Sequence, residues 1–409
     1  MSNIPDHIKI NGLTSQKMET NKSAETETLN KAQAVSPIKK IVYLDNLKVL
    51  LTILVILHHA AITYGAPGGW YYQQKTTQLA ALFPMTVFVS TDQSFFMGFF
   101  FFLSALFVVP SYEKKGAVRF ILDRLKRLGI PLAFYSLVLS PVLNYIVEHY
   151  GYGQHHSFIG YMQGYHHWID FGVLWFVAAL LLFNLVYILI KNIPGFNISI
   201  KATVPYGKRL FFIGFLLGLF TFFTRLVFHV GWNLEPFGFQ LGHWPQYILL
   251  FIAGIIASKN NWLQQLDLKK GKHLARLARF LILIILPAIF VVIIFVLKAP
   301  GDNFLGGWNF TSLTYSLWEQ MTGTIIMMAL LSIASFKWNK TSAFLKWASE
   351  NAFGAYIFHP LFLIGLSLII KSINIDPAFK FLFVGPAAAA ITFFVVSLIR
   401  KIPFVNHII

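Results

Sequence analysis

Residues 44–60 read LDNLKVLLTILVILHHA, aliphatic almost throughout from Val49 to Leu57, with Asp45 and Lys48 at one end and His58 and His59 at the other. At about 100° per residue, eleven helical steps leave Lys48 and His59 only about 20° apart around the axis. Asp45 lies one turn before Lys48, Thr52 one turn after it, and Thr63 one turn beyond His59. The five side chains form one polar stripe, from which His58 points about 100° away. Ionisable groups turned toward lipid cost several kcal/mol, so the stripe must face a bundle interior or a wet cavity.

Two chemistries fit these residues. An imidazole held at that depth can act as a general base, or it can hydrogen-bond a neighbouring helix. Asp45 and Lys48 can pair at i, i+3 near the cytoplasmic face, each reducing the other's desolvation cost, whereas Lys48 alone can snorkel to the headgroups. At standard rise His59 sits about 24 Å above Tyr43, in the outer half of a bilayer.

The elements that must hold this stripe are membrane helices. Of the 409 residues, 56% are hydrophobic, 17% aromatic and only 12% charged, with a mean hydropathy of +0.63. That composition predicts an all-α, polytopic membrane helix bundle. Apolar stretches centre near 43–64, 92–110, 129–147, 172–190, 209–229, 245–258, 279–297, 312–335, 350–371 and 379–399, about ten spans. Residues 1–40 are polar and mixed in charge and read as a disordered cytoplasmic tail. The transmembrane domain is expected over 41–400, with 401–409 as a short cytoplasmic tail. No basic segment followed by an apolar one marks a cleavable signal peptide in the first residues.

With the N-terminus cytoplasmic, the inner loops carry 21 Lys and Arg and the outer loops 4. That asymmetry is a topology signal, which places the protein as multi-pass in the cell (inner) membrane and makes the formal charge of +17 a membrane feature rather than a nucleic-acid one. Zero cysteine excludes disulfides, zinc–thiolate sites and thiol nucleophiles. The outer loops GAPGGWYY (65–72), GYGQHHSFIGYMQGYHHW (151–168), GWNLEPFGF (231–239) and GGWN (306–309) are rich in Trp, Tyr, His and Gly. They suit an interfacial aromatic belt or a stacking platform for a sugar-like acceptor. The His pairs at 155–156 and 166–167 lack carboxylates at helical spacing, so no metal is expected.

The first helix resembles that of acyltransferase family 3, whose signature is a basic residue, ten intervening residues and a histidine. Lys48 and His59 match it, with Lys where Arg is commoner, and the spacing selects His59 over His58. FFMGFFFFLSALFVVPSYEKKGAVRFILDRLKRLGIPL (95–132) is similar to the family's second helix, basic loop and third-helix start, including an Arg-x-x-Arg at Arg124 and Arg127. GVLWFVAALLLF (172–183) resembles its Leu-Trp-Phe helix, which contains Trp175, and ASENAFGAYIFHPLF (348–362) its Tyr-x-x-His-Pro segment. Ala105 stands where the second-helix motif commonly has Gly. Members that O-acylate glucans or other glycans look closest.

The resemblance implies transfer of an acyl group, acetyl or succinyl, from a cytoplasmic acyl-CoA donor to a hydroxyl on a glycan or other acceptor at the outer face. His59 would be the base and Lys48 and Asp45 would line the donor's entrance. Arg124, Arg127 and Lys126 would meet the coenzyme A phosphates through charge-assisted hydrogen bonds, unless they serve topology alone. Arg225, Glu319 and His359 are further site candidates, Glu319 orienting His59 or holding an acceptor hydroxyl, each equally suited to an internal ion pair or hydrogen bond. His359 precedes Pro360, where a kink frees backbone carbonyls. Trp175 suits packing better than chemistry, and Asp92 reads as a helix N-cap.

Three other readings compete. A transporter or flippase would also use intramembrane Lys, His, Arg and Glu, but no second copy of the DNLK…HH pattern marks an internal repeat. A membrane acyltransferase of another class would make His359 the base. A scaffold without chemistry would have no need of the Lys–His spacing.

Overall fold

The computed structural model describes residues 41–195 and 200–409, which lie in one compact unit, Ile41–Ile409. The tail 1–40 expected to be disordered lies outside the described residues. Those residues are helical, with no strand beyond one isolated bridge between Leu234 and Phe239.

Nine helices among the described residues are long and apolar enough to cross a membrane. In chain order, with one shorter helix included, they are α1 (Val42–Tyr64), α2 (Leu79–Ala105), α3 (Val108–Gly151), α4 (Gly172–Lys191), α5 (Lys208–Thr224), α6 (Leu241–Lys259), α7 (Leu268–Val296), α8 (Phe310–Lys337), α9 (Ala343–Ile369) and α10 (Pro377–Ile399). The shorter one is α5, at 17 residues, so each expected span has a helix and nine have full crossing length.

Helix α1 packs along α9 and α10, while α8 packs against α5, α7 and α1 and is the most enclosed of the crossing helices. Helix α8 starts at Asn309, whose side chain accepts from the Ser312 N–H at 2.8 Å, and α9 starts at Ser342, which accepts from Leu345 at 3.1 Å. Both are side-chain N-caps that satisfy the first free N–H groups.

Helix α2 packs on α6 at a close approach. A Cβ on Gly254 of α6 would lie 2.5 Å from the Phe102 carbonyl oxygen and 2.6 Å from the Ala105 Cβ. Ala105, which stands where the motif it resembles commonly has Gly, is thus met by a Gly on the opposite helix, and the contact stays tight.

Sequence and structure differ at α2. The helix begins at Leu79 rather than near Asp92, runs to Gln93, breaks at Ser94–Phe95 and resumes at Phe96. A broken helix is tolerated at membrane depth when protein groups satisfy the freed backbone. Here Gln246 of α6 donates through Nε2 to the Ser94 carbonyl at 2.6 Å.

Candidate active site

Pro360 sits inside α9 and has no N–H, so the carbonyl four residues back, on Tyr356, lacks its helical partner. His359 Nδ1 lies 2.7 Å from that carbonyl oxygen. A carbonyl only accepts, so Nδ1 carries the proton and the neutral ring offers its lone pair at Nε2. His59 Nδ1 lies 3.0 Å from His359 Nε2 and must donate to it. The free Nε2 of His59 then holds a lone pair. A Tyr-x-x-His-Pro segment on α9 thereby sets the tautomer of a histidine on α1.

Trp70 covers this pair, stacked on His59 at 4.0 Å between ring centres and on His359 at 6.0 Å. Beside it, Tyr71 meets the Tyr135 hydroxyl at 2.9 Å. Burial pushes the Tyr71 phenol well above its ordinary range, and the Asp170 carboxylate adds to this, so the hydroxyl stays protonated. The aromatic loop GAPGGWYY is therefore partly folded over the histidines.

His59 borders a cavity of about 130 Å³, together with Val55, Gln93, Met97, Trp175, Gln240 and Tyr247. Ligand pockets usually measure roughly 300–1,000 Å³. This one is smaller than that. Trp175 is one of its walls and stacks at a tilt on Tyr247, 5.4 Å away.

His58 faces another way, as the helical angle requires. Its Nδ1 donates to Asp92 at 3.0 Å, and both side chains are buried. Asp92 is thus not an N-cap: it lies at the C-terminal end of the first half of α2. A carboxylate there opposes the helix dipole, so the His58 contact is what holds it. That pair is not legible in the sequence, because the apolar stretch alone starts α2 about a dozen residues later than Leu79.

Glu319 does not orient His59 either. Its carboxylate is held by Arg225, 2.7 Å away, with both side chains fully enclosed, and it accepts from Gln320 at 3.1 Å. Arg225 also donates to the Gly242 carbonyl, to Ser316 and to His243 Nδ1. Guanidinium has no lone pair to give, so His243 Nδ1 accepts and its proton sits on Nε2. Gln246 joins Gln320 at 2.8 Å, which ties this network to the break in α2. The sequence points to Arg225 and Glu319 but not to His243 and Gln246, which only helix packing brings to them, nor to Gln320, the neighbour of Glu319 on α8.

Lys48 pairs with Asp45 at 3.3 Å at the opposite end of α1, about 16 Å from His59 at standard rise, and lies over the Phe107 ring. Neither borders the His59 cavity. Arg124 is half-buried over the Phe120 ring, while Lys126 and Arg127 are exposed. A cavity of about 1110 Å³ lies elsewhere, between α5, α6 and α8, with Lys201, Arg209 and Lys259 on its lining. Among the described residues no cluster of His, Asp and Glu could hold a metal ion.

The family model described as an acyltransferase domain, that of acyltransferase family 3, matches residues 41–401. The chain belongs to acyltransferase family 3. With its crossing helices, this acyltransferase 3 protein is a multi-pass membrane acyltransferase. No curated protein and no solved structure matches the chain.

Proposed function

We propose that the protein moves an acyl group, acetyl or succinyl, from cytoplasmic acyl-CoA to a hydroxyl of a glycan or other acceptor at the outer face of the cell (inner) membrane. The observation that carries the reading is the hydrogen-bonded series from the Tyr356 carbonyl through His359 to His59, which leaves His59 Nε2 basic beside a cavity.

The acceptor hydroxyl gives its proton to His59 Nε2 while its oxygen attacks the thioester carbonyl carbon. The imidazolium keeps donating from Nδ1 to His359, whose lone pair stabilises the positive charge as a carboxylate does in a Ser-His-Asp triad. The tetrahedral intermediate expels the coenzyme A thiolate, which takes the proton back, leaving an ester and free coenzyme A. No enzyme nucleophile is needed, in keeping with a chain that has no cysteine. Arg124, Lys126 and Arg127 attract the donor's phosphates, and Lys48 with Asp45 lines the donor's approach from the cytoplasm.

Mass spectrometry of cell-surface glycans with and without the gene, and with His59→Gln, tests this. One acyl mass lost in both the deletion and the variant is the expected result. Unchanged glycans, with an unmodified solute carried by the reconstituted protein instead, would support the transporter reading.

A further inference from the structure

A second cavity, of about 740 Å³, lies between the first half of α2, the end of α7 and the turn Gly301–Phe304. Its walls are hydrocarbon: Leu82, Phe83, Val89, Phe290, Ile294 and Phe304. At its rim, Leu79 and Phe295 are 69% and 64% exposed. Both wall helices belong to membrane-crossing spans, so this groove opens sideways, where lipid tails are the solvent.

Its floor is polar, with His58, Ser90, Gln93, Gln240 and His243. Three of these, His58, Gln93 and Gln240, also border the His59 cavity, so the two spaces share a wall. The partners on the page set the chemistry of that floor. Asp92 accepts a hydrogen bond from His58 Nδ1–H, which leaves the lone pair at Nε2, whereas Arg225 donates to His243 Nδ1, which leaves the N–H at Nε2. The lining at the end of the apolar groove therefore offers both an acceptor and a donor, which is what a single hydroxyl requires.

We propose that this groove binds an amphipathic acceptor, a long hydrocarbon chain ending in a hydroxyl-bearing headgroup. The molecule enters laterally from the membrane, with its chain along α2 and α7 and its headgroup on His58 and His243 beside His59. A free sugar does not suit the walls, since its hydroxyls would be buried unpaired. A plain hydrocarbon does not suit the floor, which would keep its polar groups unmatched. The proposal rests on the reading of His59 as the base that serves this acceptor.

The test uses the full chain in phosphatidylcholine nanodiscs and hexadecanol carrying a mid-chain diazirine. After irradiation, peptide mass spectrometry locates the label. Labelling is expected around Phe83, Phe290 and Ile294, about tenfold stronger than with the methyl ether of the same probe, whose oxygen cannot donate. Ala80→Trp, which fills the groove from an exposed position on its wall, should remove that label without lowering the thermal unfolding temperature. Label spread evenly over the lipid-facing helices, or equal labelling by alcohol and ether, would overturn the proposal. Labelling needs neither donor nor His59, so label without acyl transfer leaves the groove standing and removes the His59 reading. Acyl transfer to a soluble sugar without groove label removes the groove alone.

Discussion

His59 and His359 are 300 residues apart in the chain and 3.0 Å apart through their ring nitrogens. The contact fixes which nitrogen of His59 is basic, because the His359 Nδ1 proton is already committed to the Tyr356 carbonyl. The proposed roles of His59 as base and His359 as its positioning partner both rest on this one geometry.

Replacing His59 with Gln should lower acyl-transfer kcat by about 10²–10⁴-fold, the range of general-base catalysis. His359→Ala should cost a similar factor by freeing the His59 tautomer. His359→Gln, whose carbonyl can accept from His59 Nδ1, should recover part of the rate. Steady-state kinetics on the three purified variants checks the order. Equal rates for the Ala and Gln variants would leave His359 as packing.

The rate should fall as pH is lowered, because protonated His59 has no lone pair to take the acceptor's proton. A kcat–pH profile with one acid limb is expected, and the residual activity of His59→Gln should lack that limb. If the limb survives in the variant, another group is the titrating base.

Breaking the buried Arg225–Glu319 pair from one side should be worse than removing both partners. Glu319→Leu leaves a buried, uncompensated guanidinium, a loss of about 3–5 kcal/mol. The double variant Arg225→Met with Glu319→Leu should regain much of that. Thermal unfolding in detergent reads the difference directly. A double variant that is no better than the single one would contradict the account.

Helix α8 meets the break in α2 at a glycine. A Cβ on Gly323 would stand 1.9 Å from the Ser94 carbonyl oxygen, which is backbone and cannot swing away. Gly323→Ala should therefore lower the unfolding temperature and the folded yield, with a penalty of about 1–3 kcal/mol for overpacking. Size-exclusion profiles of the detergent-solubilised variant provide the check.

Changing both Arg124 and Arg127 to Ala should raise KM for acyl-CoA about tenfold or more while changing kcat less, as expected when ground-state phosphate contacts are lost. Titrating the donor at saturating acceptor separates the two parameters. An unchanged KM would leave these arginines as topology signals only.

The membrane character, the spans and the polar stripe on the first helix could be read from the sequence, because hydrophobic periodicity and side-chain spacing are local properties of one chain segment. So could Tyr356, His359 and Pro360 as a unit, since a proline always frees the carbonyl four residues before it. Packing alone decided which partners these groups met. It gave Glu319 to Arg225 rather than to His59, brought Asp92 to His58, and laid Trp70 over the histidine pair. No local signal could assign them, because a buried polar group takes whichever partner the neighbouring helix presents at hydrogen-bond distance, and that choice depends on how helices far apart in sequence come together.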